Sequence, residues 1–285
     1  MEGFPLSIIN VRHLNYRYPL KKELTLVDLS FVINKGEFIG IVGQNRAGKS
    51  TLCQALIGLV PHFHKGAYGG IVEINGINVQ ESDVNTISEK AGIVFQNPFT
   101  QITGAKLTVY EEIAFGLENL GIPQKEMRVR IDEALQLLDI YECRNHNPFE
   151  LSGGQMQRMA IASIITMRPE VIILDEPTSQ LDPQGTEEVF RAINALSKDG
   201  MTVIMVEHKI ESIAKYADRI MLMANGSIID FDSPQKVFSR DDLLDYGVPP
   251  PVYTQICRQL GIRNKDTGLY PITLEEAYEW MVSTK

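Results

Sequence analysis

The sequence predicts an α/β fold in which a core of buried strands carries an antiparallel β layer, an inserted helical subdomain and a small helical C-terminal extension. Three observations predict it. The apolar run Phe38-Ile39-Gly40-Ile41-Val42 passes through Gly43-Gln44-Asn45-Arg46-Ala47-Gly48-Lys49-Ser50-Thr51 into a helical pattern from Leu52 to Leu59. Further short apolar runs, Gly92 to Phe95, Val171 to Leu174 and Thr202 to Val206, read as buried strands. Between the first two of these runs lies a segment with helical capping signals and little strand pattern.

The first stretch sets the chemistry. A loop between a buried strand and a helix N-terminus points backbone N–H groups at phosphates, and the helix dipole adds partial positive charge there. In the pattern G-x-x-x-x-G-K-S, here Gly43 to Ser50, Lys49 supplies a full positive charge and Ser50 a hydroxyl ligand for Mg²⁺. A nucleoside triphosphate is therefore expected along Gly43, Gln44, Asn45, Arg46, Ala47, Gly48, Lys49, Ser50 and Thr51, which makes the core of the fold a P-loop NTPase core. An arginine within such a loop must avoid positive φ or carry its cost.

The 285 residues, 44% of them apolar, suffice for one large domain or two small ones. A net charge of −9 and a sequence pI near 5.2 argue against a surface built to neutralise nucleic-acid phosphates. No apolar run approaches the roughly 18 residues of a membrane helix, and Met1 to Asn10 lacks the charged-then-apolar layout of a secretory signal. A soluble, cytoplasmic chain is expected. Cys53, Cys143 and Cys257 are odd in number and far apart, which suits reduced thiols.

From the N-terminus, Ile8 to Tyr18 and Val27 to Ile33 read as antiparallel strands joined across the charged turn Lys21-Lys22-Glu23. Tyr18, at a strand end, either stacks on an adenine ring or is half buried by packing, and spacing does not separate the two. Ile71 to Ile74 and Val79 flank Asn75-Gly76 as a hairpin. His62-Phe63-His64 has no nearby acid or cysteine to complete a metal shell, so a loop with two solvated histidines is expected. Thr108 with Glu111 forms a capping box ahead of Ile113 to Leu120, and Pro123 opens a helix running to about Ile140.

Ser152-Gly153-Gly154-Gln155 then enters a helix from Met156 to Met167, a second helix N-terminus free to meet an anion. If the helical block projects outward, that terminus cannot serve the phosphate loop of its own chain, and a second copy is the natural supplier. Val171 to Leu174 ends at Asp175-Glu176-Pro177, where a carboxylate suits Mg²⁺ ligation from beyond the inner shell and Glu176 can reach a water in line with the γ-phosphate. Asp182-Pro183 turns into a helix from Gln184 to Leu196, and Thr202 to Val206 ends at Glu207-His208, with the histidine level with the γ-phosphate. Arg219 to Met223 and Ser227 to Phe231 form a hairpin around Asn225-Gly226. Ser233-Pro234 begins a tail of short helices. The last is capped from Thr273 to Glu276 and has an apolar face of Leu274, Ala277, Trp280 and Met281.

Taken together, Gly43 to Thr51, Gln96, Leu151 to Arg158, Ile172 to Asp182 and His208 resemble the ATP-binding subunits of ABC transporters in order and spacing. The run Leu151-Ser152-Gly153-Gly154-Gln155 is the most specific part of that match. The resemblance implies ATP and Mg²⁺ as cofactors, Tyr18 as the adenine-stacking aromatic, and Glu176, His208 and Gln96 as the catalytic residues. It also implies Ser50, Gln96 and Asp175 around Mg²⁺, directly or through nucleotide and water, and Ser152, Gly153, Gly154 and Gln155 as contacts to ATP held by a second subunit. Asp182 becomes the aspartate of the D-loop. The implied layout is a RecA-like nucleotide-binding core with its β subdomain over 1–95 and 166–235, a helical signature subdomain over 96–165 and a helical extension over 236–285.

Gln96-Asn97-Pro98 with Gln101, the stretch Ala114 to Asn119, and Leu181 to Gly185 are similar to ATPase subunits of energy-coupling factor (ECF) importers. Those importers take up vitamins or transition-metal ions such as nickel and cobalt. They pair two ATPase subunits, identical or related, with a transmembrane coupling subunit and a substrate-capture membrane subunit. The resemblance thus implies a peripheral place on the cytoplasmic face of the membrane, no nucleic-acid partner, and a tail that helps hold two ATPases together. A coupling-subunit helix would sit against residues 97–107, where Phe99, Ile102 and Leu107 are apolar. The alternative is an ABC-type ATPase acting on nucleic acid or ribosomes without a membrane partner. Such proteins generally carry a long coiled-coil insert or two complete motif sets with basic linkers, whereas this chain has one compact set and an acidic balance.

Overall fold

In a computed structural model, which describes residues 7–283, the strands fall into two sheets. Part of the stretch Met1 to Asn10 read above for a signal therefore lies outside the described residues. The antiparallel layer holds β1 (Ser7–Arg17), β2 (Leu26–Asn34), β4 (Ala67–Ile74) and β5 (Ile77–Asn78) in the order β2-β1-β4-β5. The second sheet holds β3 (Phe38–Val42), β6 (Ala91–Val94), β7 (Val171–Asp175), β8 (Thr202–Val206), β9 (Arg219–Ala224) and β10 (Ser227–Asp232). Its order is β10-β9-β3-β8-β7-β6, parallel except for the β9–β10 hairpin.

The apolar runs have no polar alternation because both faces of the parallel sheet are covered. Val171, Ile173 and Ile204 enter a core shared with the antiparallel layer and the helix Lys49–Leu56. Their neighbours Ile172, Leu174 and Val203 enter the opposite core, with the helices Gly153–Ile165 and Pro183–Lys198. Each such side chain contributes about 1.5–3 kcal/mol on burial. The register brings the strand ends level, pairing Ile41 and Asp175 with Val206 and Val94 with Leu174. The residues that follow β3, β6, β7 and β8 therefore share one edge, the usual ligand edge of such a sheet.

In the helical block, Thr108 and Glu111 form the expected capping box at the start of Val109–Asn119. The next helix, Gln124–Leu137, stops short of Ile140 because the chain turns to φ +51° at Asp139. The helix expected from Met156 starts earlier, at Gly153, since Ser152 Oγ accepts from Gln155 N at 3.3 Å while Ser152 N donates to Gln155 Oε1 at 3.0 Å. This reciprocal cap draws both glycines into the first turn. The histidine pair also differs from expectation: a ring nitrogen of His62 bonds the Val79 carbonyl at 2.8 Å, and only His64 is exposed. In the tail, the last helix is Leu274–Ser283, and Thr273 Oγ1 accepts from Glu276 N at 3.3 Å. Its expected apolar face is only partly covered: Ala277 is buried, while Leu274 is 57% exposed.

Candidate nucleotide site

The loop after β3 is fixed by two glycines that nothing larger can replace. Gly43 and Gly48 sit at φ +150° and +104°, and a Cβ there would lie 2.2 Å from the Met223 carbonyl oxygen or 2.9 Å from that of Thr25. Lys49 is 5% exposed and its Nζ donates to the carbonyls of Gly43 at 2.8 Å and Gln44 at 3.1 Å. An ammonium has three donors, so one remains for a ligand oxygen. Burial lowers the Lys49 pKa, and the carboxylates of Glu176 and Asp175 oppose that shift. Arg46 does not avoid positive φ: it stands at φ +70°, a conformation costing a non-glycine residue about 1–2 kcal/mol.

Three strand ends converge on Glu176. Its Oε2 accepts from Gln96 Nε2 at 2.6 Å, and its Oε1 lies 3.0 Å from His208 Nε2. Its own backbone is at φ +52°, with its N–H on the Val206 carbonyl at 3.0 Å. Gln96 in turn follows a strand end tied down by Gln101, whose amide accepts from Phe95 N at 2.9 Å and donates to the Ile93 carbonyl at 3.0 Å. Beside Glu176, Asp175 is buried and its Oδ1 has no partner among the described residues. Burial pushes the Asp175 pKa up, against a hydrogen bond from Ser50. A buried, unsatisfied carboxylate oxygen next to a hydroxyl is the oxygen-donor set that a hard cation such as Mg²⁺ takes, directly or through water. The residues present fit that ion.

Tyr18, Asn45, Arg46, Gly48, Lys49, Ser50, Thr51, Gln96, Glu176 and His208 all line one cleft of about 910 Å³, within the range of small-molecule sites. Of the remaining loop residues, Gly43 and Ala47 are buried behind the cleft wall and Gln44 is exposed. Tyr18, among these lining residues, is half buried, edge-on to Tyr16, with its hydroxyl on Gln54 Oε1 at 3.1 Å and Thr51 Oγ1 at 3.2 Å.

Ser152, Gly153, Gly154, Gln155 and Asp182 are not among the cleft walls. The first four abut the loop that leads to Asp182 instead: a Cβ at Gly153 would meet Gln180 Oε1 at 2.8 Å, and one at Gly154 the Leu181 side chain at 3.0 Å. Asp182 caps the following helix, its Oδ1 accepting from Gly185 N at 2.7 Å. Sequence reasoning missed what holds this loop. Buried Glu207 accepts from the hydroxyl and N–H of Thr178 and from the N–H groups of His208 and Lys209, and Lys209 Nζ donates to the carbonyls of Thr178 and Leu181 and to Thr186 Oγ1. Sequence offered one signal, an acid directly after the apolar run Val203 to Val206 of β8.

A phosphate-type loop facing a glutamate that two neighbouring strand ends hold in place defines a nucleoside triphosphatase. Residues 26–179 match the family model described as ABC transporter, and the chain belongs to that family as an ABC-type ATPase. It is 44% identical over 247 residues to the energy-coupling factor transporter ATP-binding protein EcfA1 of Lacticaseibacillus paracasei, covering 86% of each chain. Among solved structures it resembles cbiO1 of Clostridium perfringens, part of the ABC transporter complex cbiONQ, with TM-score 0.73 and 33% identity over 84% of this chain and 93% of that one. It also resembles the ATP-binding cassette MJ0796 in a dimeric post-hydrolysis state bound to ADP and Pi, with TM-score 0.69 and 28% identity over 79% and 98% of the chains.

Proposed function

We propose that two ATPase subunits, this chain and an identical or related partner, close around ATP and so drive an ECF-type importer of a vitamin or transition-metal ion. The observation that carries the paired reading is the absence of Ser152 to Gln155 from the cleft that contains Lys49, although their helix N-terminus suits an anion. Each cleft then lacks donors that a facing copy carries. The importer reading is supported by the similarity to EcfA1 and cbiO1.

Within one cleft, Lys49 and the loop amides hold the phosphates, and Tyr18 offers its ring to the base. Glu176 polarises the attacking water, while Gln96 and His208 fix the carboxylate and sense the γ-phosphate. Ser50, Asp175 and Gln96 would hold Mg²⁺, which when bound balances phosphate charge. Asp182 faces the partner. The chain divides into the core over 1–95 and 166–235, the helical subdomain over 96–165 and the extension over 236–285.

No described helix is long and apolar enough to cross a membrane, which is consistent with a peripheral place on the cytoplasmic face beside coupling and substrate-capture subunits. A groove of about 240 Å³ lined by Ile102, Phe115, Met159 and Ile164 is the coupling-subunit site in this reading, with Phe99 and Leu107 exposed on the same segment. Co-purification from membranes tests it. An ATPase complex containing a transmembrane subunit is expected, and recovery on nucleic acid or ribosomes alone would refute the importer.

A further inference from the structure

Resting on the cleft being an ATP site, we propose that the Arg46 side chain is itself a ligand of the nucleotide's phosphate chain, held in the loop against its backbone preference. The φ of +70° at Arg46 is one that glycine adopts freely and a side-chain-bearing residue does not. Arg46 is exposed, and among the described residues its guanidinium has neither a hydrogen bond nor an ion pair, so the side chain does not stabilise the folded state.

Its surroundings say what it faces. The cleft presents three cations, Lys21, Arg46 and Lys49, against the single carboxylate Glu176, in a chain whose net charge is −9. Lys49 is anchored on loop carbonyls, whereas the Arg46 guanidinium, among the described residues, has no such partner at the wall. A planar guanidinium with five donors matches phosphate oxygens bidentately. A triphosphate supplies the anionic oxygens that the cleft lacks.

The two halves of the proposal predict opposite signs for one substitution. Arg46→Gly relieves the backbone and removes the ligand. ATP affinity of the purified chain should fall by at least about tenfold, with adenosine affinity unchanged. The melting temperature without nucleotide should rise by about 2 °C. Arg46→Ala, still strained at positive φ, should lose ATP affinity without the thermal gain. Lys49→Ala serves as the control for the site itself. ATP binding that is destroyed by Lys49→Ala but unaltered by Arg46→Gly would overturn the role of Arg46 alone. Failure of the parent to bind ATP would overturn the ATP-site reading and the inference with it. A glycine variant that loses ATP affinity and melts lower, or loses adenosine equally, would make Arg46 a scaffold residue and overturn the proposal too.

Discussion

The imidazole Nε2 of His208 lies 3.0 Å from Oε1 of Glu176, and the two residues stand at the ends of neighbouring parallel strands. With Gln96 on the other carboxylate oxygen, Glu176 is held from both sides at the cleft wall. Glu176→Gln keeps the shape and removes the base. Phosphate release should fall at least about a hundredfold while ATP binding, measured by titration, survives. Near-normal turnover by that variant would refute the assignment.

Asp175 is buried with one oxygen unpartnered, so without a cation it is a liability to the fold. Its folded carboxyl binds a proton more tightly than the ordinary value of 3.8 allows, chiefly because of desolvation. Between 3.8 and the raised folded value the folded state holds more proton than the unfolded chain, so stability falls as pH rises through that window. The penalty is fully present once pH is above that window. Asp175→Asn should therefore melt higher than the parent at pH 7 without ligands, yet lose the strengthening of ATP binding by Mg²⁺. Unchanged Mg²⁺ dependence in calorimetric titration would exclude Asp175 from the ion's surroundings.

Ser152→Arg should leave ATP binding by the separate subunit intact and block ATP-dependent pairing through bulk and misplaced charge. The substitution also removes the N-cap hydroxyl, a loss of about 1 kcal/mol. Ser152→Asp separates the two effects, since aspartate caps a helix but repels phosphate. Both variants should remain monomeric with ATP by sedimentation. Pairing as strong as the parent's in either one would argue against the shared site.

Phe99 and Leu107 are 53% and 78% exposed, whereas Ile102 is half buried against the helical core. The expected apolar surface is thus carried by the outer two residues. Phe99→Asp with Leu107→Asp should reduce retention of the chain on membranes containing the partner while leaving its ATP affinity unaltered. Undiminished retention by the folded double variant would place the docking surface elsewhere.

The loop Gly43 to Ser50 and the capping box at Thr108 were legible in the sequence because their bonds close within a few residues. The buried strands were legible because a sheet covered on both faces gives apolar runs without polar alternation. Boundaries slipped where a single residue turned, as at Asp139, or where a reciprocal cap extended a helix back to Gly153.

By itself, then, the sequence determined the local pieces and the residue types able to bind a triphosphate. Only the tertiary structure decided that Glu176 meets Gln96, 80 positions away, and His208, 32 positions away, because sheet order and register level those strand ends. It also decided the strained φ of Arg46 and the Glu207–Lys209 clamp on the loop before Asp182. The physical reason is shared: a bond between distant residues depends on which strands pair and in what register, and that is settled by burial over the whole sheet rather than by any short run of residues.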